Sequence, residues 1–136
     1  MKVYLDTNVL VSAFAARGLC ADLMRLVLAE HEVLTGEVNL VELRRVLSAR
    51  FRAAAAQVDL VEELLRDQTV IAKPAALLPL AVRDPDDAWV LASAVAGQAD
   101  LLVTGDADLL VLADQSPVAI VSPREGWLRL RERGPR

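Results

Sequence analysis

Cysteine, histidine, lysine and aromatic residues are nearly missing from this chain of 136 residues, and each shortage narrows what it can be. A single Cys20 can form neither an internal disulfide nor a thiolate metal cluster. At the start of an apolar helical stretch it reads as a small buried hydrophobe. The only histidine, His31, stands at a helix end outside any acidic motif and reads as a C-terminal cap or a surface residue. Of the 15 basic residues only Lys2 and Lys73 are lysines, and the net charge is −4 with an isoelectric point near 5.0. That balance lowers the expectation of tight, non-specific nucleic-acid binding. It does not exclude a nuclease, because arginine is the side chain shaped for bidentate phosphate contacts, and acids committed to metal ions would leave the remaining surface close to neutral. No apolar run approaches the roughly 18 residues of a membrane span. Asp6 interrupts the first apolar stretch before it can serve as a signal peptide. A soluble, cytoplasmic protein is expected.

What the chain has in quantity is aliphatic. Hydrophobic residues make up 54%, aromatics only 4%, and the mean hydropathy is +0.36. A mixture dominated by Ala, Val and Leu suits helices packed on both faces of a parallel sheet. The length is enough for one core, and no linker, repeat or low-complexity tract divides it, so one domain over 1–136 is expected. Periodicity places short strands at 3–5, 33–35, 69–72, 101–104 and 118–121. Helices fall at about 9–18, 21–30, 38–47, 53–66, 84–96 and 107–112, with a last one from Pro123 through Leu130. Leu64 belongs to the buried stripe of the fourth helix in this reading. Asp84-Pro85 reads as an N-cap and first helical residue, and 74–79 as a loop. Such alternation builds a parallel sheet with right-handed crossovers, whose sites form beyond the carboxyl ends of the strands where the strand order switches.

Two segments share an unusual form. Val3-Tyr4-Leu5 runs directly into Asp6, and Leu102-Val103-Thr104 leads through Gly105 to Asp106. A carboxylate at the end of a buried strand is costly to desolvate, and two at one sheet edge repel each other. A divalent cation offsets both costs, and Mg²⁺ prefers such hard oxygen ligands. Glu42, within a helix of Leu and Val, and Asp87, in the first turn of its helix, can join them. Their spacing excludes a local loop site, so only the fold can assemble the four. Each acid also has an ordinary use. Asp6 and Asp106 can cap the helices that follow, Asp87 can favour the helix dipole and reciprocate the Asp84 cap, and Glu42 can simply be solvated.

The segments LDTNVLVSAF, NLVELRRVL, RDPDDAWVLASAVAGQADLLVTGDADLL and VAIVSPREGWL, taken together, resemble the PIN-domain family. They are most similar to its VapC-like branch, the toxin components of bacterial toxin–antitoxin systems, and the match runs nearly the whole chain in order. The resemblance implies an α/β fold of three layers, α/β/α, with a five-stranded parallel sheet of order 3-2-1-4-5. It implies that Asp6, Glu42, Asp87 and Asp106 bind the metal and are catalytic, that Asn8 and Thr104 are polar groups behind them, and that Asp84 and Asp108 are further acids near the site. The implied activity is Mg²⁺- or Mn²⁺-dependent hydrolysis of RNA, the ions acidifying a water and neutralising charge on the leaving oxygen. An antitoxin is the implied partner. Exposed apolar surface in so hydrophobic a chain favours that partner or a homodimer.

Other readings compete. A PIN nuclease of RNA processing, outside any toxin system, fits the same motifs. A receiver-like phosphoacceptor shares the sheet and the acids but needs a lysine near them at a later strand end, where this chain has Ser122-Pro123. A haloacid-dehalogenase-like phosphatase needs an aspartate where Asn8 stands. A catalytically silent PIN scaffold would not be expected to keep four acids. Arg44, Arg45, Arg50 and Arg52 can track an RNA backbone or form a solvated helix face. Arg129, Arg131, Arg133 and Arg136 read as a solvated tail or a contact for RNA or a partner protein. Trp89 and Trp127 read as core or interface residues rather than as a base-stacking platform.

Overall fold

The structure, a computed structural model, describes residues 1–133. The elements follow as β1 (Lys2–Leu5), α1 (Thr7–Ala15), α2 (Leu19–Glu30), β2 (Glu32–Gly36), α3 (Glu37–Arg50), α4 (Ala55–Arg66), β3 (Thr69–Ile71), α5 (Pro85–Ala96), β4 (Leu101–Val103), α6 (Ala107–Leu110), β5 (Ala119–Val121) and α7 (Pro123–Arg133). All strand pairs are parallel, and the order is β3-β2-β1-β4-β5, as the resemblance implied. Receiver-like sheets follow the flavodoxin order 2-1-3-4-5, so that alternative loses its scaffold as well as its lysine.

Alternate strand residues feed two cores. Val3, Leu5, Val33, Leu101, Val103 and Val121 pack on one side with helices α1, α2, α3, α4 and α7. Tyr4, Leu34, Leu102 and Ile120 pack on the other with α5 and α6. Val3, Tyr4 and Leu5 are wholly buried. A strand covered on both faces has no solvent-facing position, which is why 3–5 is an unbroken apolar run.

Most element boundaries differ from the sequence reading by one to three residues. Helix α3 continues to Arg50 because nothing in Ser48-Ala49-Arg50 stops a helix; the chain turns only at Phe51 and at Arg52, whose φ is +50°. Leu64 is not on the buried stripe of α4: with Leu60 it turns to solvent, while helical phase sends Val58 and Leu65 inward. Val41 is 72% exposed. Cys20 is partly buried against the first core. His31 ends α2, its backbone N–H donating to the Val27 carbonyl. Arg44 is tied to α4 through Asp59 and Glu62, each 2.9 Å away, whereas Arg45, Arg50 and Arg52 are exposed. Arg129 pairs with Glu125, and Arg131 lies 5.3 Å from the Trp127 ring centre. Arg136 and the Arg133 side chain lie outside the described residues. Among the described residues no helix is long and apolar enough to cross a membrane.

Candidate active site

From β1 the chain builds outward through β2 and β3, then returns to lay β4 and β5 on the other side of β1. The switch falls between β1 and β4, where Leu5 pairs with Val103. Past that pair the Asp6 N–H still donates to the Val103 carbonyl at 3.0 Å, and the Thr104 N–H to that of Val121 at 3.0 Å. Asp6 and Thr104 therefore leave the sheet side by side.

Asp6 is 4% exposed. As the N-cap of α1 it accepts from the Thr7 N–H at 2.7 Å, and α1 accordingly begins at Thr7 rather than near Val9. The same Oδ1 accepts from Asn39 Nδ2 at 3.0 Å; Oδ2 accepts from the Thr104 hydroxyl at 2.7 Å and from Asn8 Nδ2 at 3.3 Å. Four donors replace the water this carboxylate has lost and fix its orientation. Asn8 also ties the two strand ends together, its Oδ1 accepting from the Gly105 N–H at 2.9 Å, while Thr104 Oγ1 accepts from the Asp106 N–H at 3.0 Å.

Asn39 is a site residue that sequence reasoning missed. It is wholly buried on α3, and its Nδ2 donates both to Asp6 and, at 3.0 Å, to Thr7 Oγ1. Its Oδ1 accepts from the Tyr4 hydroxyl, which settles which end of the amide faces Asp6. Gly36 makes room for this contact, because a Cβ there would overlap the Tyr4 hydroxyl oxygen. A usable signal did exist: an asparagine in an apolar helix three residues before Glu42 lies on the face of Glu42.

Asp84 caps α5, its Oδ1 accepting from the Asp86 N–H at 2.9 Å, with Pro85 as the first helical residue. Asp87 is buried, and its Oδ2 has no hydrogen-bond partner. Asp106 caps the short α6 by accepting from the Asp108 N–H at 2.9 Å. One carboxylate oxygen from each of Asp87, Asp106 and Asp108 lies within 4.8 Å of the others. Asp108 thus joins this group, although its Oδ1 also stands 4.0 Å from exposed Arg83. Glu42, half-buried on α3, is outside the group of three but within electrostatic reach of Asp6, Asp86 and Asp84.

Burial, and then the Asp106 charge beside it, push Asp87 up to about 8. Burial also raises Asp6, against the hydrogen bonds from Thr104, Thr7 and Asn39, and Asp106 raises it further. Glu42 is raised by burial and by Asp6 and Asp86, with Arg45 pulling the other way. The folded protein therefore binds protons more tightly than the unfolded chain between the ordinary carboxylate value near 4 and about 8. Within that window stability falls as pH rises. Without metal, the unfolding midpoint should decline from pH 4 to pH 8, and added Mn²⁺ should raise it more at pH 8 than at pH 5. Thermal scans in EDTA and in Mn²⁺ measure both; equal stabilisation at the two pH values counts against an ion held by these acids. The orphaned Asp87 oxygen and an all-oxygen set of carboxylates, hydroxyls and amides fit Mg²⁺ or Mn²⁺.

The sequence matches the PIN domain family over residues 2–108, a span that contains every acid of the site. No curated protein gives a significant sequence match. Solved structures share the fold at low identity. VapBC2 of Rickettsia felis, bound to a DNA fragment from its promoter, is 14% identical with a TM-score of 0.61, the match covering 90% of this chain and 98% of that one. VapBC-1 of nontypeable Haemophilus influenzae is 17% identical with a TM-score of 0.60, covering 91% and 99%. PAE2754 of Pyrobaculum aerophilum is 20% identical with a TM-score of 0.65, covering 97% and 90%.

Proposed function

The chain belongs to the PIN-domain family, a family of nucleases, and on that premise we propose that it is an endoribonuclease dependent on Mg²⁺ or Mn²⁺. The observation that carries the reading is the buried Asp87 carboxylate, one oxygen unpartnered and two more carboxylates beside it, at the switch point of the sheet. Asp6, Glu42, Asp87 and Asp106 would hold the ion or ions, with Asp108 close enough to take part. When bound, the ion supplies charge against the phosphate oxygens and lowers the pKa of an attacking water. The chain's own part is positioning. Thr104, Asn8 and Asn39 hold Asp6 rigid, the Asp84 cap leaves Asp87 turned toward the centre, and Glu42 on the open side is suited to take up the proton released as water attacks. One domain over 1–136 performs this work.

We place the protein as the toxin of a type II toxin–antitoxin pair. The sequence resemblance to the VapC-like branch supports this, as does a fold shared with two VapBC assemblies. Exposed Leu60, Leu64, Phe51 and Val111 offer apolar surface for an antitoxin or for a second copy of the chain. Purified protein incubated with total RNA and Mn²⁺ should cleave it, and EDTA or Asp6→Asn should abolish cleavage. Activity that persists in EDTA or in the variant removes the acidic centre from the chemistry. Growth arrest on expression, relieved by a co-expressed antitoxin, tests the toxin assignment separately.

A further inference from the structure

Beside the acidic centre, and sharing Glu42 with it, a cleft of about 330 Å³ opens between α3 and α5. Its size falls at the lower end of the roughly 300–1,000 Å³ typical of ligand pockets. Val38, Val90 and the half-buried Trp89 give it apolar walls, and exposed Val41 stands at its lip. Two cations reach it from outside the sequence neighbourhood of Trp89. Lys73, in the loop after β3, places Nζ 4.4 Å from the Trp89 ring centre; Arg45 lies one helical turn from Glu42. Among the described residues neither forms an ion pair, whereas Arg44 and Arg66 nearby are bound to Asp59, Glu62 and Glu37. Trp89 has no basic neighbour in sequence, but the fold gives it two.

We infer that this cleft is a subsite for the nucleotide adjoining the cleaved phosphate, taking its base against Trp89 and its phosphate between Lys73 and Arg45. The inference rests on the ribonuclease reading. An indole face accepts any base by stacking, so the subsite sets affinity and placement more than sequence. Lys73 covers the ring face while the cleft is empty; a base that stacks there displaces its ammonium toward the phosphate attached to that base. Three acids also border the cleft. Glu37 is already paired with Arg66 at 2.7 Å, and Glu42 belongs to the metal-holding set. Exposed Asp86 is in no ion pair among the described residues, which leaves Lys73 and Arg45 to outweigh a single free carboxylate.

Two readouts test it. In a Trp127→Phe, Asp106→Asn protein, Trp89 is the sole tryptophan and RNA binds without being cut. Its emission should be quenched by a short single-stranded RNA, and binding should weaken at least about fivefold when the base at one position of that RNA is removed. In otherwise unaltered protein, Trp89→Ala should raise KM about 10- to 100-fold with kcat within about twofold, Trp89→Phe should restore most of the loss, and Lys73→Met should lower the salt slope of log KM by about 0.7. If wild-type protein cuts RNA while Trp89 emission is unmoved and Trp89→Ala keeps its KM, the subsite is overturned and the nuclease reading stands. Emission that answers a partner protein but not RNA makes the cleft a protein-docking groove and equally overturns the subsite. Wild-type protein that cuts no RNA overturns the nuclease reading itself.

Discussion

In metal-free protein, Asp87→Asn is expected to raise the unfolding midpoint while removing RNA cleavage. The substitution keeps the volume of a side chain that is 7% exposed but removes a carboxyl that must take up a proton on folding at neutral pH, or carry a charge beside Asp106 above about pH 8, with no hydrogen-bond partner at Oδ2. Relief of that cost is worth about 1–2 kcal/mol at neutral pH, or about 3–8 °C for a chain of this size. Loss of one ligand to a catalytic ion removes several kcal/mol of charge stabilisation from the transition state, which corresponds to about 10²- to 10⁴-fold in rate. Saturating Mn²⁺ should then reverse the order of the midpoints. An ion at 100 times its Kd stabilises the wild-type fold by about 2.7 kcal/mol, and the variant gains far less. Thermal scans with and without Mn²⁺, beside single-turnover cleavage, give all three quantities. A variant that is less stable than wild type in EDTA, or that still cleaves, would show Asp87 to be an ordinary structural residue of α5.

Gly36→Ala is expected to destabilise the fold by about 2–3 kcal/mol, the range for overpacking in a rigid core, which is roughly 10 °C. Backbone conformation is not the reason, since φ at Gly36 is −121° and suits any residue. The added Cβ would occupy the place of the Tyr4 hydroxyl and press within 3.2 Å of Asn39 Oδ1 and Ser93 Oγ. Because Tyr4 orients Asn39, and Asn39 holds Asp6, the damage should reach the active centre and lower kcat as well as stability. Tyr4→Phe in the same chain removes the oxygen that collides. The double variant should therefore be less destabilised than the two single losses combined, a non-additivity that a double-mutant cycle measures. Simple addition would mean that Gly36 is required for some other reason.

The sheet was largely legible from the sequence because parallel strands buried on both faces must be short apolar runs, and 3–5 and 101–103 are just that. Asp6 and Asp106 stood out for the same reason, as acids placed where an apolar strand stops. Asp84-Pro85 announced its helix through local cap chemistry, which needs no tertiary information. Asn39, Tyr4 and Gly36 were not found. Their roles depend on a close approach between β1, the end of β2 and α3, which no spacing rule encodes. Leu64 was assigned inward because an apolar residue next to Leu65 extends the stripe on paper, whereas helical phase turns it outward. Asp108 was read only as a further acid near the site, because nothing local in the sequence aims its carboxylate at Asp87. The tight turn into α6, closed by the Asp108 N–H on Asp106, is what brings both carboxylates to Asp87.

β1 precedes the other four strands of the sheet, yet one of its two sheet neighbours is β4, and Asp6 waits for Thr104 and Asp106 across about 100 residues of chain. At about 5–20 residues per second of synthesis, that interval is about 5–20 s. During it β1 can pair with β2 alone, and Asp6 lacks the hydroxyl that helps hold it. The two halves of the acidic cluster, Asp6 on one strand end and Asp106 beyond another, exist only apart through that interval. The acidic centre therefore cannot be complete until about a hundred residues beyond Asp6 have been made.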